Sequence, residues 1–241
     1  MSRQKSLENL KKLTGVAMFA ALAYVSVAVV RIPNIGGFLT MDFKDVIITI
    51  CGMFFGPVAA VVIAIIVPLL ELFTVSGTGI YGFIMNVISS VTFALVSSII
   101  YKYKKTFWGA IIGLATAVAS VTAIMMVANL IVTPYYTNMP TAAVAGMIPK
   151  LLLPFNFTKA MLNASLTLML YKPLTSVMRK TGFFGKKTKQ IDQTPEQKKK
   201  NIIRSVILFI ISFIVFVVAL SIILLVWNGE ISFFDIFKPK S

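Results

Sequence analysis

Residues Leu151–Tyr171 read LLLPFNFTKAMLNASLTLMLY, a stretch long and apolar enough to cross a bilayer. Within it stand Asn156, Lys159 and Asn163, three and four residues apart, so a helix carries all three on one face. A lysine inside a membrane helix costs roughly 3 kcal/mol on insertion scales unless it meets a cavity or a partner. Two readings follow. Either the three residues line a polar pocket inside a bundle, or Lys159 reaches the membrane surface, because Pro154 lies only five positions before it.

The whole chain has the same character. Of its 241 residues 58% are apolar, which describes a polytopic all-α membrane protein and not a soluble domain. Histidine is absent and Cys51 is the single cysteine. That removes most metal sites, the Ser-His and Cys-His nucleophiles, and any disulfide within one chain. The formal charge of +15 could suggest nucleic acid, but most lysines and arginines flank apolar segments, which is a topology signal. No cleavable signal peptide is evident, and the first apolar segment reads as a true span.

Residues 1–12 are basic, with Arg3, Lys5, Lys11 and Lys12, and a first helix follows to about Val30. Its Ala17 and Ala21 are four apart on one face, where small side chains admit a neighbouring helix. Arg31–Asp42, RIPNIGGFLTMD, breaks the helix at Pro33, Gly36 and Gly37. It is too apolar for a solvated loop and reads as a cap over a cavity. A short second helix runs over about 43–55, with Asp42 and Asp45 at its start, where carboxylates suit a helix N-terminus. Capping is the preferred role for Asp42. After Gly56 a third helix, about 57–74, carries Pro68, and Glu71 near its end is either an interfacial residue or a charge partner for Lys159.

The VSGTG connection leads into a fourth helix, about 80–101. Gly79 and Gly82 leave its first turn bare of side chain, with Asn86 one turn on. That suits a flat ligand or close helix packing equally. The fifth helix spans about 107–132, with Asn129 near its end, followed by Thr133, Pro134, Tyr135 and Tyr136. The connection to the sixth helix, with Pro140, Gly146 and Pro149, reads as a loop. From Lys172 to Arg204 the chain is strongly basic, a cytoplasmic or membrane-surface segment. A seventh, uniformly apolar helix at 205–227 reads as an appended anchor or partner helix. A short tail, 228–241, contains Phe233, Phe234 and Phe237.

Topology follows from counting. With the N-terminus cytoplasmic, 17 of the 23 lysines and arginines fall in segments 1–12, 102–105 and 172–204, and seven spans place the C-terminus outside. The segments after the first, third and fifth helices then face outward. These are the cap, the Gly-rich turn and the Tyr-Tyr segment. Gly82, Asn86, Asn129, Asn156 and Lys159 lie near the outer ends of their helices, so the polar, bare and aromatic features converge on one outward-facing pocket.

FLTMDFKDVIITICGMFFGPVAA, SGTGIYGFIMN, NLIVTPYY and LPFNFTKAML follow one another in an order and spacing that resemble the riboflavin-specific S component of energy-coupling factor (ECF) transporters. The resemblance covers about residues 10–175, and LTMDF…FGP and PFNxxK are its most specific pieces. It implies a six-helix vitamin receptor that binds riboflavin as transported ligand, with no cofactor, metal or catalysis. It also implies docking on a transmembrane coupling protein that carries two ATPase subunits. Ala17 and Ala21 would form the docking face. Asn129, Asn156 and Lys159 would make polar contacts to the flavin, and Leu39, Thr40, Met41 and Asp45, with the turn from Gly79, would close around it. Gly82, Asn86 and Tyr135 complete the candidate site. The chain departs from the family in its basic linker and seventh helix.

The division that follows is a cytoplasmic N-terminus (1–12), a six-helix vitamin-binding membrane domain (13–175), a basic linker (176–204), the seventh helix (205–227) and a tail (228–241). Asparagines match the donors and acceptors of an isoalloxazine edge, and aromatic and aliphatic side chains match its faces. A phosphate would want more basic groups than the one lysine found, which favours riboflavin over FMN. No GxxxxGK[ST] sequence is present, so ATP hydrolysis must come from a partner. Three other readings stand beside this one: an S component for thiamine, pantothenate or folate; an intramembrane enzyme, for which only Asp42, Asp45 and Glu71 are at hand; and an assembly subunit.

Overall fold

The computed structural model describes residues 3–35, 38–180 and 195–227. The expected basic segment at 181–194 and the Phe-rich tail at 228–241 lie outside the described residues. The elements, in chain order, are α1 (Arg3–Val29), β1 (Arg31–Ile35), β2 (Leu39–Asp42), α2 (Lys44–Phe55), α3 (Pro57–Thr74), α4 (Gly79–Tyr103), α5 (Phe107–Thr137), α6 (Thr141–Met147), a π-turn (Ile148–Leu152), α7 (Leu153–Lys180) and α8 (Pro195–Trp227).

The bundle is built around α2. Twelve residues rise only about 18 Å, too little to cross a hydrocarbon core of about 30 Å. Nine of those twelve are buried, and α1, α3, α4 and α7 all pack on this helix. Because protein surrounds α2, it need not span alone. Its closeness to α4 depends on Gly52, where an added Cβ would strike the Ser98 hydroxyl and the Ala60 methyl. Gly56, at φ 99°, turns the chain into α3 in a conformation that other residues rarely adopt. Pro57 then occupies the first turn of α3, where its missing N–H costs nothing.

Four described helices are long and apolar enough to cross a membrane: Ser6–Val29, Pro57–Thr74, Gly79–Tyr103 and Phe107–Thr137. In α7, Asn156, Lys159 and Asn163 are all buried in the bundle. One apolar cluster joins α1, α2 and α3 through Phe19, Ala23, Ile48 and Ile63. A second joins α4, α5 and α7 through Phe93, Leu114, Val121 and Ala160. At the far end of these helices the Tyr101 and Tyr171 hydroxyls meet at 2.7 Å and tie α4 to α7.

Four expected boundaries change. The cap at 31–42 is an antiparallel β-hairpin, pairing Arg31 with Asp42 and Ile32 with Met41, with an irregularity before Ile35–Leu39. A two-stranded ribbon has only edge strands, so Pro33 is tolerated. Helix α5 continues through Pro134, Tyr135 and Tyr136 to Thr137 and ends at Asn138 in the left-handed conformation, φ 55°. The expected loop before the sixth span is helical, formed by α6 and the π-turn. Helix α7 also runs past Pro173 to Lys180, into the stretch expected as linker. The appended helix α8 packs along α7. Ala219 sits in a cluster with Met41 of the hairpin and with Phe155 and Leu162 of α7.

Candidate functional site

Beneath the hairpin, α4, α5 and α7 enclose a cavity with about 690 Å³ of empty space, its open mouth included. Each wall follows helical spacing. Tyr81, Gly82, Met85, Asn86 and Ser89 come from α4, and Met125, Asn129, Val132, Thr133 and Tyr136 from α5. Phe155, Asn156 and Lys159 come from α7, and the hairpin roofs the space with Arg31, Phe38, Leu39 and Thr40. Phe38 packs edge-on against Tyr136 and Tyr81 packs against it at a tilt, with ring centroids 6.0 and 6.4 Å apart, which gives the cavity an aromatic edge.

Lys159 does not reach for the membrane surface. It is 8% exposed, and its Nζ donates to Asp42 Oδ2 at 2.8 Å and to the Thr40 carbonyl at 3.2 Å. The lysine therefore fastens α7 to β2. The same Asp42 oxygen lies 3.1 Å from Lys44 Nζ, and Lys44 in turn lies 3.1 Å from Glu71 Oε1. Asn86 Nδ2 donates to Glu71 Oε2 at 3.2 Å. A continuous polar chain thus runs from Lys159 through Asp42, Lys44 and Glu71 to Asn86, and both of its ends line the cavity.

Asp42 lies on the hairpin, outside the helical spans. Burial alone would push its carboxyl up, but Lys159 and Lys44 outweigh burial and hold it well below the usual carboxylate range. This replaces the capping role expected for Asp42. The residue before α2 is Phe43, with no side-chain cap. Two lysines within 3.1 Å attract a carboxylate more strongly than the half-charge of a helix end. Glu71 is likewise buried rather than interfacial, and its charge partner is Lys44.

The asparagines are oriented by their own helices. Asn129 Nδ2 donates to the Met125 carbonyl, and its Oδ1 accepts from Thr133. Asn156 Nδ2 donates to the Leu152 carbonyl, the last residue of the π-turn.

Of the residues singled out in the sequence, Leu39, Thr40, Gly82, Asn86, Asn129, Asn156 and Lys159 share this cavity. Four others do not line it. Strand alternation turns Met41 to the opposite face from Thr40, against Phe155, Leu162 and Ala219. Asp45 faces α4, where the Ser90 hydroxyl donates to it. Gly79 only begins α4, at φ 58°. Tyr135 is 71% exposed while Tyr136 faces the cavity, since one residue is about 100° of helix. Asn163, a fifth such residue, is buried and does not line the cavity. Ala17 and Ala21 lie on the exposed face of α1, opposite buried Phe19, Ala23 and Val27. Sequence reasoning passed over Lys44 and Arg31. The signal available for Lys44 was its place between Asp42 and Asp45 at the head of an apolar helix.

A helical membrane bundle that encloses a largely apolar cavity with fixed polar groups describes a membrane receptor for a small molecule. Residues 11–174 match the family model for the ECF transporter, substrate-specific component, and the chain belongs to that family. It is a component of a transporter and not an enzyme. Among its relatives is the riboflavin transporter RibU of Staphylococcus aureus (strain TCH60), 27% identical over 190 residues, 74% of this chain and 97% of that protein. Another is the riboflavin transporter FmnP of Bacillus subtilis (strain 168), 28% identical over 167 residues, 63% of this chain and 85% of that protein. A solved structure, described as the S component of a bacterial ECF transporter, superposes with a TM-score of 0.62 at 27% identity. It covers 70% of this chain and 98% of its own.

Proposed function

We propose that this protein captures riboflavin from the outer side of the membrane and delivers it inward when docked on an ATP-driven energising module. The observation that carries the reading is the cavity itself, in which Asn86, Asn129, Asn156, Lys159 and Thr40 meet an aromatic edge of Phe38, Tyr81 and Tyr136. Isoalloxazine is flat, with an apolar dimethylbenzene end and a pyrimidine end of carbonyls around an N–H. Aromatic and aliphatic side chains suit its faces, and amides and a lysine suit its polar end. The names of RibU and FmnP support the same ligand. Arg31 brings a second cation to the cavity, so the number of basic groups does not separate riboflavin from FMN.

The module would comprise a transmembrane coupling protein and two ATPase subunits, as the resemblance to ECF S components implies; this chain carries no GxxxxGK[ST] sequence with which to bind ATP itself. Ala17 and Ala21 form the docking face on α1. A cytoplasmic N-terminus is the orientation that the distribution of lysine and arginine supports. The test is the visible spectrum of protein purified in mild detergent from a riboflavin-containing host. A flavin band near one per chain, with quenched fluorescence, is the expected result. A colourless protein that also leaves added riboflavin fluorescent overturns the assignment.

A further inference from the structure

Glu71 does not line the cavity, yet it touches a residue that does. It sits on α3, 4% exposed, with Lys44 Nζ 3.1 Å from Oε1 and 3.3 Å from Oε2. A carboxylate held by a buried ammonium group can only accept hydrogen bonds. Its neighbour Asn86, on α4, must therefore turn its NH₂ toward Glu71, as the 3.2 Å contact from Nδ2 to Oε2 records. The amide is planar, so this fixes where its other end points. Among the described residues no side chain or backbone N–H donates to the Asn86 carbonyl oxygen, and Asn86 lines the cavity. A neutral partner at position 71 could accept or donate, and the amide could then face either way.

We infer that Glu71, anchored by Lys44, is a positioning residue that holds the Asn86 carbonyl oxygen toward the cavity. The cavity then selects a ligand edge that donates a hydrogen bond at Asn86 and accepts one at Lys159. The second requirement comes from the other end of the same polar chain, since an ammonium group is a donor only. An imide edge, an N–H between two carbonyls, meets both conditions. The inference rests on the riboflavin reading and adds which atoms of that ligand are selected. The buried ion pair also gains a purpose: a carboxylate with its lysine keeps one amide in one orientation, which an apolar pair of the same volume could not do.

The test compares riboflavin with its N3-methyl derivative, which keeps the ring, the side chain and both carbonyls but loses the N–H. Affinities are measured by fluorescence quenching on the purified full chain, with thermal unfolding alongside. The wild type should prefer riboflavin by at least about tenfold, the worth of one buried hydrogen bond to a fixed acceptor. In Glu71→Gln the preference should fall to within about threefold, because the amide is free to turn. A general loosening of the fold would weaken both ligands and leave the ratio alone. If Glu71→Gln does not fold, Asn86→Ala carries the test, since it removes the selecting oxygen and should abolish the preference equally. A folded Glu71→Gln with the wild-type ratio overturns the positioning role while leaving riboflavin as ligand. An Asn86→Ala that keeps the preference overturns the selecting role in the same way. A wild type that binds neither flavin overturns the ligand reading, and the inference falls with it.

Discussion

Replacing Lys159 by methionine keeps most of the side-chain volume and removes the charge. Its structural cost can be worked from the contacts. Lys159 gives up hydrogen bonds of 2.8 Å to Asp42 and 3.2 Å to Thr40. A buried carboxylate stripped of all partners would cost about 3–5 kcal/mol, but Asp42 keeps Lys44 at 3.1 Å, so about 2 kcal/mol is expected. Binding suffers separately. One charge-assisted hydrogen bond to the ligand is worth about 1.5–3 kcal/mol, or about 10- to 150-fold in Kd. The assay is riboflavin fluorescence quenching in detergent, with thermal unfolding of the unliganded protein measured in parallel. Lys44→Met is the control, since it strands Glu71 as well as weakening Asp42 and should lower stability by about 3–5 kcal/mol. Lys44 lines no part of the cavity, so its loss removes no direct contact and acts on binding only through Glu71 and Asn86. Lys159→Met must therefore lose more affinity per unit of stability than Lys44→Met. A folded Lys159→Met with Kd within threefold of wild type, or the same affinity-to-stability ratio in both variants, would refute the reasoning.

Three further outcomes follow from particular contacts. Tyr136→Ala should weaken flavin binding about fivefold, the worth of its ring contacts, while Tyr135→Ala, on the exposed face, should stay within twofold in the same titration. Leucine at both Ala17 and Ala21 should leave binding intact and abolish riboflavin uptake by cells. Uptake at the wild-type rate would remove α1 from the docking face. Gly52→Ala should lower stability by about 1–3 kcal/mol in thermal unfolding, because its methyl meets Ser98 and Ala60; an unchanged midpoint would mean that α2 and α4 can separate freely.

The bundle was legible in the sequence because a membrane leaves few choices. Long apolar runs must be helices, and the breaks at Gly56-Pro57 and 75–79 mark their ends. The hairpin was harder to read. RIPNI and LTMD are too short and too interrupted to announce strands, and only their mutual pairing makes them so. The continuation of α5 through Pro134 was hidden for a related reason. Proline argues for a break wherever its ring and missing N–H are judged locally, yet α5 carries it in the last turn before Thr137, and α7 carries Pro173 as well.

In the site, what was legible differs from what was not by the kind of rule each obeys. Asn129, Asn156 and Lys159 declare themselves because polar groups in apolar helices demand an explanation. Lys44 breaks the same rule but stands at a helix start, where a charge needs none, so sequence alone treats it as surface. It is 1% exposed, and only the fold brings Glu71, 27 residues later, to its side. The choice between Tyr135 and Tyr136 depends on a rotation about the helix axis that neighbouring aromatic residues cannot fix. Spacing from Asn129 does fix it: Val132, Thr133 and Tyr136 stand three, four and seven positions on, along one face. The face of α5 that bears the buried asparagine therefore already specified Tyr136, and reading the aromatic pair as a segment, not as positions on that face, is what misplaced it.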